Sequence, residues 1–309
     1  MRFGVLGYGK IARQAVVPAI EAAGHAVTVI GSARGAKPDG YQGLVCTDYA
    51  DVLDRELIDA LYIGLPNHLH HHYSKAALSL KIPVLCEKPL GLTASEVTDL
   101  EATAVEHHTY LQEAFMVAHH PQWHWIRERV REGARWELSV SFHYDNRDPH
   151  NIRNRPETGG GARLDIGCYA LWAADWLGAR TLTEVIGLQH MEANIDAATT
   201  AEVQFAECCQ LLMNVSMRRA RFQQVVVQSN HGCWVLPRPF NPSDTSEIWI
   251  MDANGIAEVV QFQGNQYQHM IEDFCQAIDQ DRPADLSASR RIAQWSDQLQ
   301  HQLTKRPQL

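Results

Sequence analysis

Two short stretches hold residue types whose spacing can do chemistry: Gly7-Tyr8-Gly9-Lys10-Ile11-Ala12 at the amino terminus, and Glu87-Lys88-Pro89 behind the apolar run Val84-Leu85-Cys86. The first follows an apolar run and opens a helix-period segment, the setting that a dinucleotide-binding turn requires. Gly7 permits the tight turn, Gly9 lets a pyrophosphate approach the backbone, and Ala12 lets the helix pack close to the sheet. An ordinary glycine-rich βα turn can carry the same residues. The N-terminal position and the βαβ continuation favour binding, with Gly7, Tyr8, Gly9, Lys10 and Ile11 as the cofactor loop. A lysine at the carboxyl end of a parallel strand beside such a site is well placed for redox chemistry. Pro89 restricts Lys88 to extended geometry and so aims its ammonium group. Taken alone, Glu87-Lys88-Pro89 is also compatible with a surface ion pair on a βα loop, worth little.

An NAD site usually ends its second strand in Asp or Glu, about twenty residues past the glycines, to hold both ribose hydroxyls. Here Ala26-Val27-Thr28-Val29-Ile30 runs into Gly31-Ser32-Ala33-Arg34. With no carboxylate there, a 2′-phosphate meets no repulsion, Ser32 can donate a hydrogen bond to it, and Arg34 can supply charge. This favours NADP over NAD without excluding NAD. The plain alternative makes Arg34 a solvated loop cation, and Lys37 can substitute for it. The third strand ends in Gly64-Leu65-Pro66-Asn67-His68-Leu69-His70. Its end belongs on the same sheet edge, so Pro66 and Asn67 can line the nicotinamide side of the cleft, with His70 as a further cleft residue. His68, His70, His71 and His72 invite a metal reading. Consecutive helical residues point in different directions, though, and no Cys or carboxylate stands beside them at ligand spacing, so no metal is assigned.

These residues need a scaffold. Short apolar runs at 3–6, 26–30, 60–65, 84–86 and 110–111 read as strands, alternating with helix-period segments at 10–23, 70–80 and 94–107. Thr93, with Glu96 three residues on, can cap the last of these. Alternation of this kind means a parallel, doubly wound sheet over residues 1–118. A helix at 122–131 leads into 119–309, where runs at 136–144, 184–190, 201–215, 222–228, 233–236, 247–251 and 256–261 are rich in β-branched and aromatic residues. They predict a largely antiparallel sheet, one face of which a second subunit can bury. A glycine-rich turn with an apolar helix at 164–177 interrupts them; a helix at 267–278 and a Gln-rich polar segment close the chain.

A net charge of -9 over 309 residues, with Lys and Arg scattered, argues against nucleic acid or an anionic membrane as partner. The expected partner is a small molecule. Seven cysteines, an odd number without a CxxC pair, fit free thiols in a reducing cytosol. The first residues run directly into a strand, which leaves no room for a signal peptide, and no apolar stretch approaches the roughly 18 residues of a membrane span. The expected location is cytoplasmic.

The chain resembles the glucose-fructose oxidoreductase and inositol dehydrogenase family (Gfo/Idh/MocA). The likeness runs through Gly7-Tyr8-Gly9, Asp59-Ala60-Leu61-Tyr62-Ile63, Leu65-Pro66-Asn67-His68-Leu69-His70, Glu87-Lys88-Pro89-Leu90 and Glu113-Ala114-Phe115-Met116. It continues through Gly159-Gly160-Gly161-Ala162-Arg163-Leu164-Asp165-Ile166-Gly167-Cys168-Tyr169 and Val235-Leu236-Pro237-Arg238-Pro239-Phe240. The resemblance implies a Rossmann domain followed by an open, mostly antiparallel sheet whose outer face commonly makes homodimer or homotetramer contacts. It implies that Glu87 and Lys88 adjoin the cofactor, that Lys88 is the catalytic lysine, and that Asp165 and Tyr169 project from one helical face. Tyr169, where many relatives have His, is similar to the dihydrodiol and xylose dehydrogenase branch. Ala118 stands where many relatives have Arg, and the turn before the first sheet strand is altered to Glu132-Gly133-Ala134-Arg135-Trp136, read as a harmless loop change.

The implied chemistry is oxidation of a sugar-like or vicinal-diol hydroxyl, or reduction of the matching carbonyl. A base must take the hydroxyl proton while hydride moves to the nicotinamide. A tyrosine starts near a pKa of about 10 and needs a nearby cation to serve at neutral pH. Lys88 can be that cation, Tyr169 the acid or base, and Asp165 the group that orients the substrate hydroxyl or the lysine. Without the resemblance, Asp165 reads as a helix N-terminal carboxylate, Tyr169 as a half-buried aromatic, and Arg153 equally as a cleft or a solvated residue. Two other functions compete: transient nicotinamide redox for elimination or glycoside cleavage, and a non-catalytic NADP-binding sensor. A sensor would need only the cofactor site.

Overall fold

The computed structural model describes residues 1–130, 135–242 and 245–307. Contacts divide the chain into two units, Met1–His119 with Asn265–Arg290, and His120–Gly264 with Arg291–Leu309. The units are therefore discontinuous in sequence. The helix Gln266–Asp279, which a linear division gives to the second half, buries Met270, Ile271 and Phe274 within the first unit.

In the first unit β1 (Arg2–Leu6), β2 (Ala26–Gly31), β3 (Leu44–Cys46), β4 (Ala60–Ile63), β5 (Val84–Cys86) and β6 (Leu111–Glu113) form a sheet of order β3-β2-β1-β4-β5-β6. Every pair is parallel. β3 had no expected counterpart: it is three residues long, half-exposed, and too short to carry a pattern. The central strands are buried on both faces, as their continuous apolar runs require. All strands point one way, so the residues after β1, β2, β4, β5 and β6 share one edge. The order reverses between β2 and β4 on either side of β1, which makes that edge a topological switch point. The helix Ala94–Glu106 is capped by Thr93, whose Oγ1 accepts the Glu96 N–H at 3.3 Å. Glu96 reaches back to the Leu92 N–H at 2.7 Å, one residue before the cap itself.

The second unit holds β7 (Trp136–Asp145), β8 (Leu182–Glu192), β9 (Ile195–Phe205), β10 (Cys209–Ser216), β11 (Arg218–Ser229), β12 (Gly232–Leu236), β13 (Thr245–Asp252), β14 (Gly255–Gln263) and β15 (Thr304–Pro307). Their order is β14-β13-β12-β11-β7-β10-β9-β8-β15, an open sheet. It is mostly antiparallel, with β7–β10 and β8–β15 parallel. The continuous run expected at 201–215 is two strands: Cys208 takes φ +58°, and the chain folds back so that Phe205 faces Cys209. The Gln-rich terminal segment is also structured. It forms the helix Ser287–Gln302, in which Ile292, Trp295 and Leu299 bury one stripe, and then β15. Ile186, Phe222, Ile256 and Val259 are exposed on this sheet. Glu132, Gly133 and Ala134, and Arg131 of the expected helix end, lie outside the described residues.

Candidate active site

Gly7 takes φ +89° and donates its N–H to the Gly31 carbonyl at 2.9 Å. A Cβ there would lie 2.5 Å from the Gly64 carbonyl oxygen, so glycine is required both by the turn and by the approach of the loop after β4. At Gly9 a Cβ would meet nothing within 4 Å, which leaves the backbone open where a pyrophosphate must approach. The helix starts at Lys10 and makes its first bond from the Arg13 N–H to the Gly9 carbonyl at 3.0 Å. Tyr8 is half-buried; Lys10 and Ile11 are exposed at the same end.

At the end of β2, Ser32 is buried and its Oγ accepts the Ala36 N–H at 2.9 Å. That bond uses an acceptor lone pair and keeps the hydroxyl hydrogen for donation. Arg34 and Lys37 are exposed, and among the described residues neither has an ion-pair partner. A donor and two cations that make no ion pair among the described residues fit a 2′-phosphate.

The loops after β4 and β5 are tied together. Pro66, Asn67, Glu87 and Lys88 are half-buried. The Glu87 N–H donates to the Ile63 carbonyl at 2.9 Å, and its carboxylate accepts the Tyr62 hydroxyl at 3.0 Å. Burial and the Glu87 charge push the phenols of Tyr62 and Tyr267 up, while Lys88 opposes them at Tyr267. Glu113 at the end of β6 accepts the Leu90 N–H at 2.8 Å; burial raises its pKa, and the Lys88 charge works against that rise. The Lys88–Pro89 peptide is cis. Lys88 thus belongs to a partly buried array with Tyr62, Glu87, Glu113 and Tyr267, which is not the environment of a surface ion pair. Tyr62 and Glu113 lie inside motifs that sequence reading quoted without giving them a role. Tyr267 carried no signal, because it lies 179 positions after Lys88 by number.

His70 does not occupy the place expected of it. It is 1% exposed, with Nδ1 2.8 Å from the Pro89 carbonyl and Nε2 2.8 Å from the Leu65 carbonyl. Both ring nitrogens are used by backbone, so neither is offered to a cofactor. His71 pairs with Asp99 at 2.7 Å, and among the described residues no cluster of three His, Cys, Asp or Glu has metal-holding geometry.

In the second unit, the helix carrying Asp165 and Tyr169 begins behind Gly161, whose φ is +116°. A Cβ on Gly161 would collide with the Asp196 carboxylate. Asp196, on β9, accepts the Arg163 N–H at 2.6 Å and the Thr199 hydroxyl at 3.1 Å, so it satisfies an open donor of the first turn from outside the helix. The stretch Arg163–Gly167 is a π turn that continues as the helix Cys168–Trp176. Asp165 is buried and held on both oxygens: Arg153 Nε donates to Oδ1 at 3.0 Å and the Tyr144 hydroxyl donates to Oδ2. Arg153 therefore pairs with Asp165, and Tyr144, on β7, was not found from sequence, since a strand aromatic reads as packing. The Tyr169 ring is 5% exposed and lies 5.8 Å from Phe142 and 5.1 Å from Phe240 between centroids. Asp196→Ala should lower unfolding free energy by about 3 kcal/mol, because it orphans the Arg163 N–H and removes one of the two carboxylates, with Asp297, whose charge favours the buried Arg163 guanidinium. Urea denaturation followed by circular dichroism measures this, and a loss below about 0.5 kcal/mol would remove Asp196 as the anchor of this helix.

Comparison with known proteins adds four findings. Residues 1–115 match the oxidoreductase family described as GFO_IDH_MocA, NAD-binding Rossmann fold, and residues 123–234 match the GFO/IDH/MocA C-terminal domain. An uncharacterized oxidoreductase, ORF334, of Rhizobium meliloti is 33% identical over 266 residues, covering 82% of this chain and 80% of that protein. A D-xylose 1-dehydrogenase (NADP(+)) of Haloferax volcanii is 28% identical over 314 residues, covering 94% of this chain and 95% of its own. A 3-ketoreductase from Actinomadura kijaniata, solved in complex with NADP and TDP-benzene, superposes with a TM-score of 0.89 at 26% identity, over 100% of this chain and 99% of that one.

Proposed function

We propose, from the premise that this chain belongs to the GFO/IDH/MocA family of NAD(P)-dependent oxidoreductases, that it is an NADP-preferring enzyme acting on a sugar-like or vicinal-diol hydroxyl or the corresponding carbonyl. The observation that carries this reading is the carboxyl edge of the first sheet, where the glycine turn, Ser32 with Arg34, and Lys88 follow β1, β2 and β5. The xylose dehydrogenase supports a sugar-like substrate and NADP, and the 3-ketoreductase supports NADP and chemistry at a carbonyl.

The open backbone at Gly9 and the helix start at Lys10 fit the pyrophosphate; Ser32 and Arg34 fit the 2′-phosphate, and Pro66 and Asn67 the nicotinamide side. When bound, the nicotinamide supplies or accepts the hydride. In oxidation the substrate carbon loses that hydride and its hydroxyl loses a proton to Tyr169, which leaves a carbonyl; in reduction Tyr169 returns the proton. Lys88 provides the positive charge that lets a phenol act near neutral pH and donates to the substrate oxygen. Asp165, fixed by Arg153 and Tyr144, orients the hydroxyl.

Tyr169→Phe should lower kcat about 100-fold while keeping the ring contacts with Phe142 and Phe240, and hence the Tm. An aldose and diol panel with NADP, followed at the nicotinamide absorbance, measures it. Stoichiometric NADPH formation supports the assignment. Turnover without net cofactor reduction would replace it with internal redox chemistry, and an unchanged kcat in Tyr169→Phe would remove Tyr169 from the proton step.

A further inference from the structure

We infer that His70 is a positioning residue for Lys88, acting through the Pro89 peptide; the catalytic meaning of this rests on the reading of Lys88 given above. His70 opens the helix His70–Ser79 and is buried to 1% exposure. Its ring spans the loops after β4 and β5, with Leu65 O at 2.8 Å from one nitrogen and Pro89 O at 2.8 Å from the other. A carbonyl oxygen only accepts, so each contact asks for a ring N–H. The imidazolium satisfies both. The neutral ring satisfies one and turns a lone pair toward the other carbonyl. Burial and the charges of Lys88 and His68 disfavour the imidazolium, and the two carbonyls favour it.

In either form the ring has no nitrogen and almost no surface left for a coenzyme. What it does hold is the peptide on the carboxyl side of Lys88. On the amino side, the Glu87 N–H is fixed to Ile63, and past Pro89 the Leu90 N–H is fixed to Glu113. Lys88 therefore rises from a loop anchored before and after it, and the His70 side chain joins this loop to the Leu65 carbonyl, just ahead of Pro66 and Asn67. Supporting residues of this kind set the direction of the group that does chemistry without touching the reactants.

The test uses His70→Gln, which keeps one donor, and His70→Leu, which keeps none, in the full chain. Lys88 reactivity is read as the rate of pyridoxal 5′-phosphate labelling after borohydride trapping, with the Lys88 peptide quantified by mass spectrometry and Lys88→Met as the blank. NADPH affinity is read by nicotinamide fluorescence. In His70→Leu the Lys88 labelling rate should change by about tenfold, in His70→Gln by less, with NADPH affinity within about threefold of wild type in both. An unchanged labelling rate in either folded variant overturns the inference. So does a loss of NADPH affinity with labelling unchanged, which would make His70 a cofactor contact. If both variants fail to fold, the 15N spectrum of the wild-type ring decides: it should stay fixed when NADPH is added, and a ring-nitrogen shift typical of a new hydrogen bond overturns the inference. Full activity in Lys88→Met sinks the catalytic reading of Lys88 and leaves its coupling to His70 standing.

Discussion

Lys88→Met should reduce turnover about 1000-fold or more, equivalent to about 4 kcal/mol of transition-state stabilisation, while NADPH still binds. On the function proposed above, the ammonium group has two tasks at once. It stabilises negative charge on the substrate oxygen, and it lowers the cost of an ionised phenol, whose unperturbed pKa of about 10 makes it a weak base at neutral pH. Methionine keeps the length of the stem and removes both effects. The array around Lys88 also makes the substitution structurally mild, because Glu87 is held by Tyr62 and by the Ile63 carbonyl, and Leu90 by Glu113. The measurements are kcat on the aldose and diol panel and a fluorescence titration with NADPH. Full activity in the variant would sink the catalytic assignment.

Arg34→Ala should weaken NADPH about 10- to 100-fold and leave NADH nearly unchanged, since a charge-assisted hydrogen bond to phosphate is worth about 1.5–3 kcal/mol. Arg34 is exposed and, among the described residues, has no carboxylate to neutralise it, so its charge is available to a ligand. Ser32 adds a donor from a buried position, with its oxygen already used by the Ala36 N–H. Paired titrations with NADPH and NADH decide the matter. Equal losses for the two cofactors would place the 2′-phosphate elsewhere, and a loss confined to Lys37→Ala would move the role to Lys37.

Much of the first unit was legible because its signals are local. A strand, a glycine turn and a helix start lie within the stretch from Arg2 to Ala12, and a parallel strand buried on both faces writes an unbroken apolar run. The same logic singled out Ser32, Arg34, Asn67 and Lys88 as candidates, and each of them follows the end of a strand. Local signals failed where the structure depends on partners far along the chain. β3 is recognisable only by its pairing with β2, and the break between β9 and β10 only by the left-handed turn at Cys208. The helix Ser287–Gln302 was hidden by its polar composition, although Ile292, Trp295 and Leu299 mark its buried stripe.

Residue type and spacing by themselves determined the doubly wound sheet, the largely antiparallel character of the second sheet and the nicotinamide cofactor class, because each is encoded within a few turns or strands of chain. The tertiary structure alone decided how those groups are held. It withdrew His70 from the cleft into a bridge between Leu65 and Pro89, gave Glu87 to Tyr62, and clamped Asp165 between Arg153 and Tyr144. It also set Asp196 at the start of the Tyr169 helix. Hydrogen-bond partners are fixed by distance in space, and sequence separation places no limit on them.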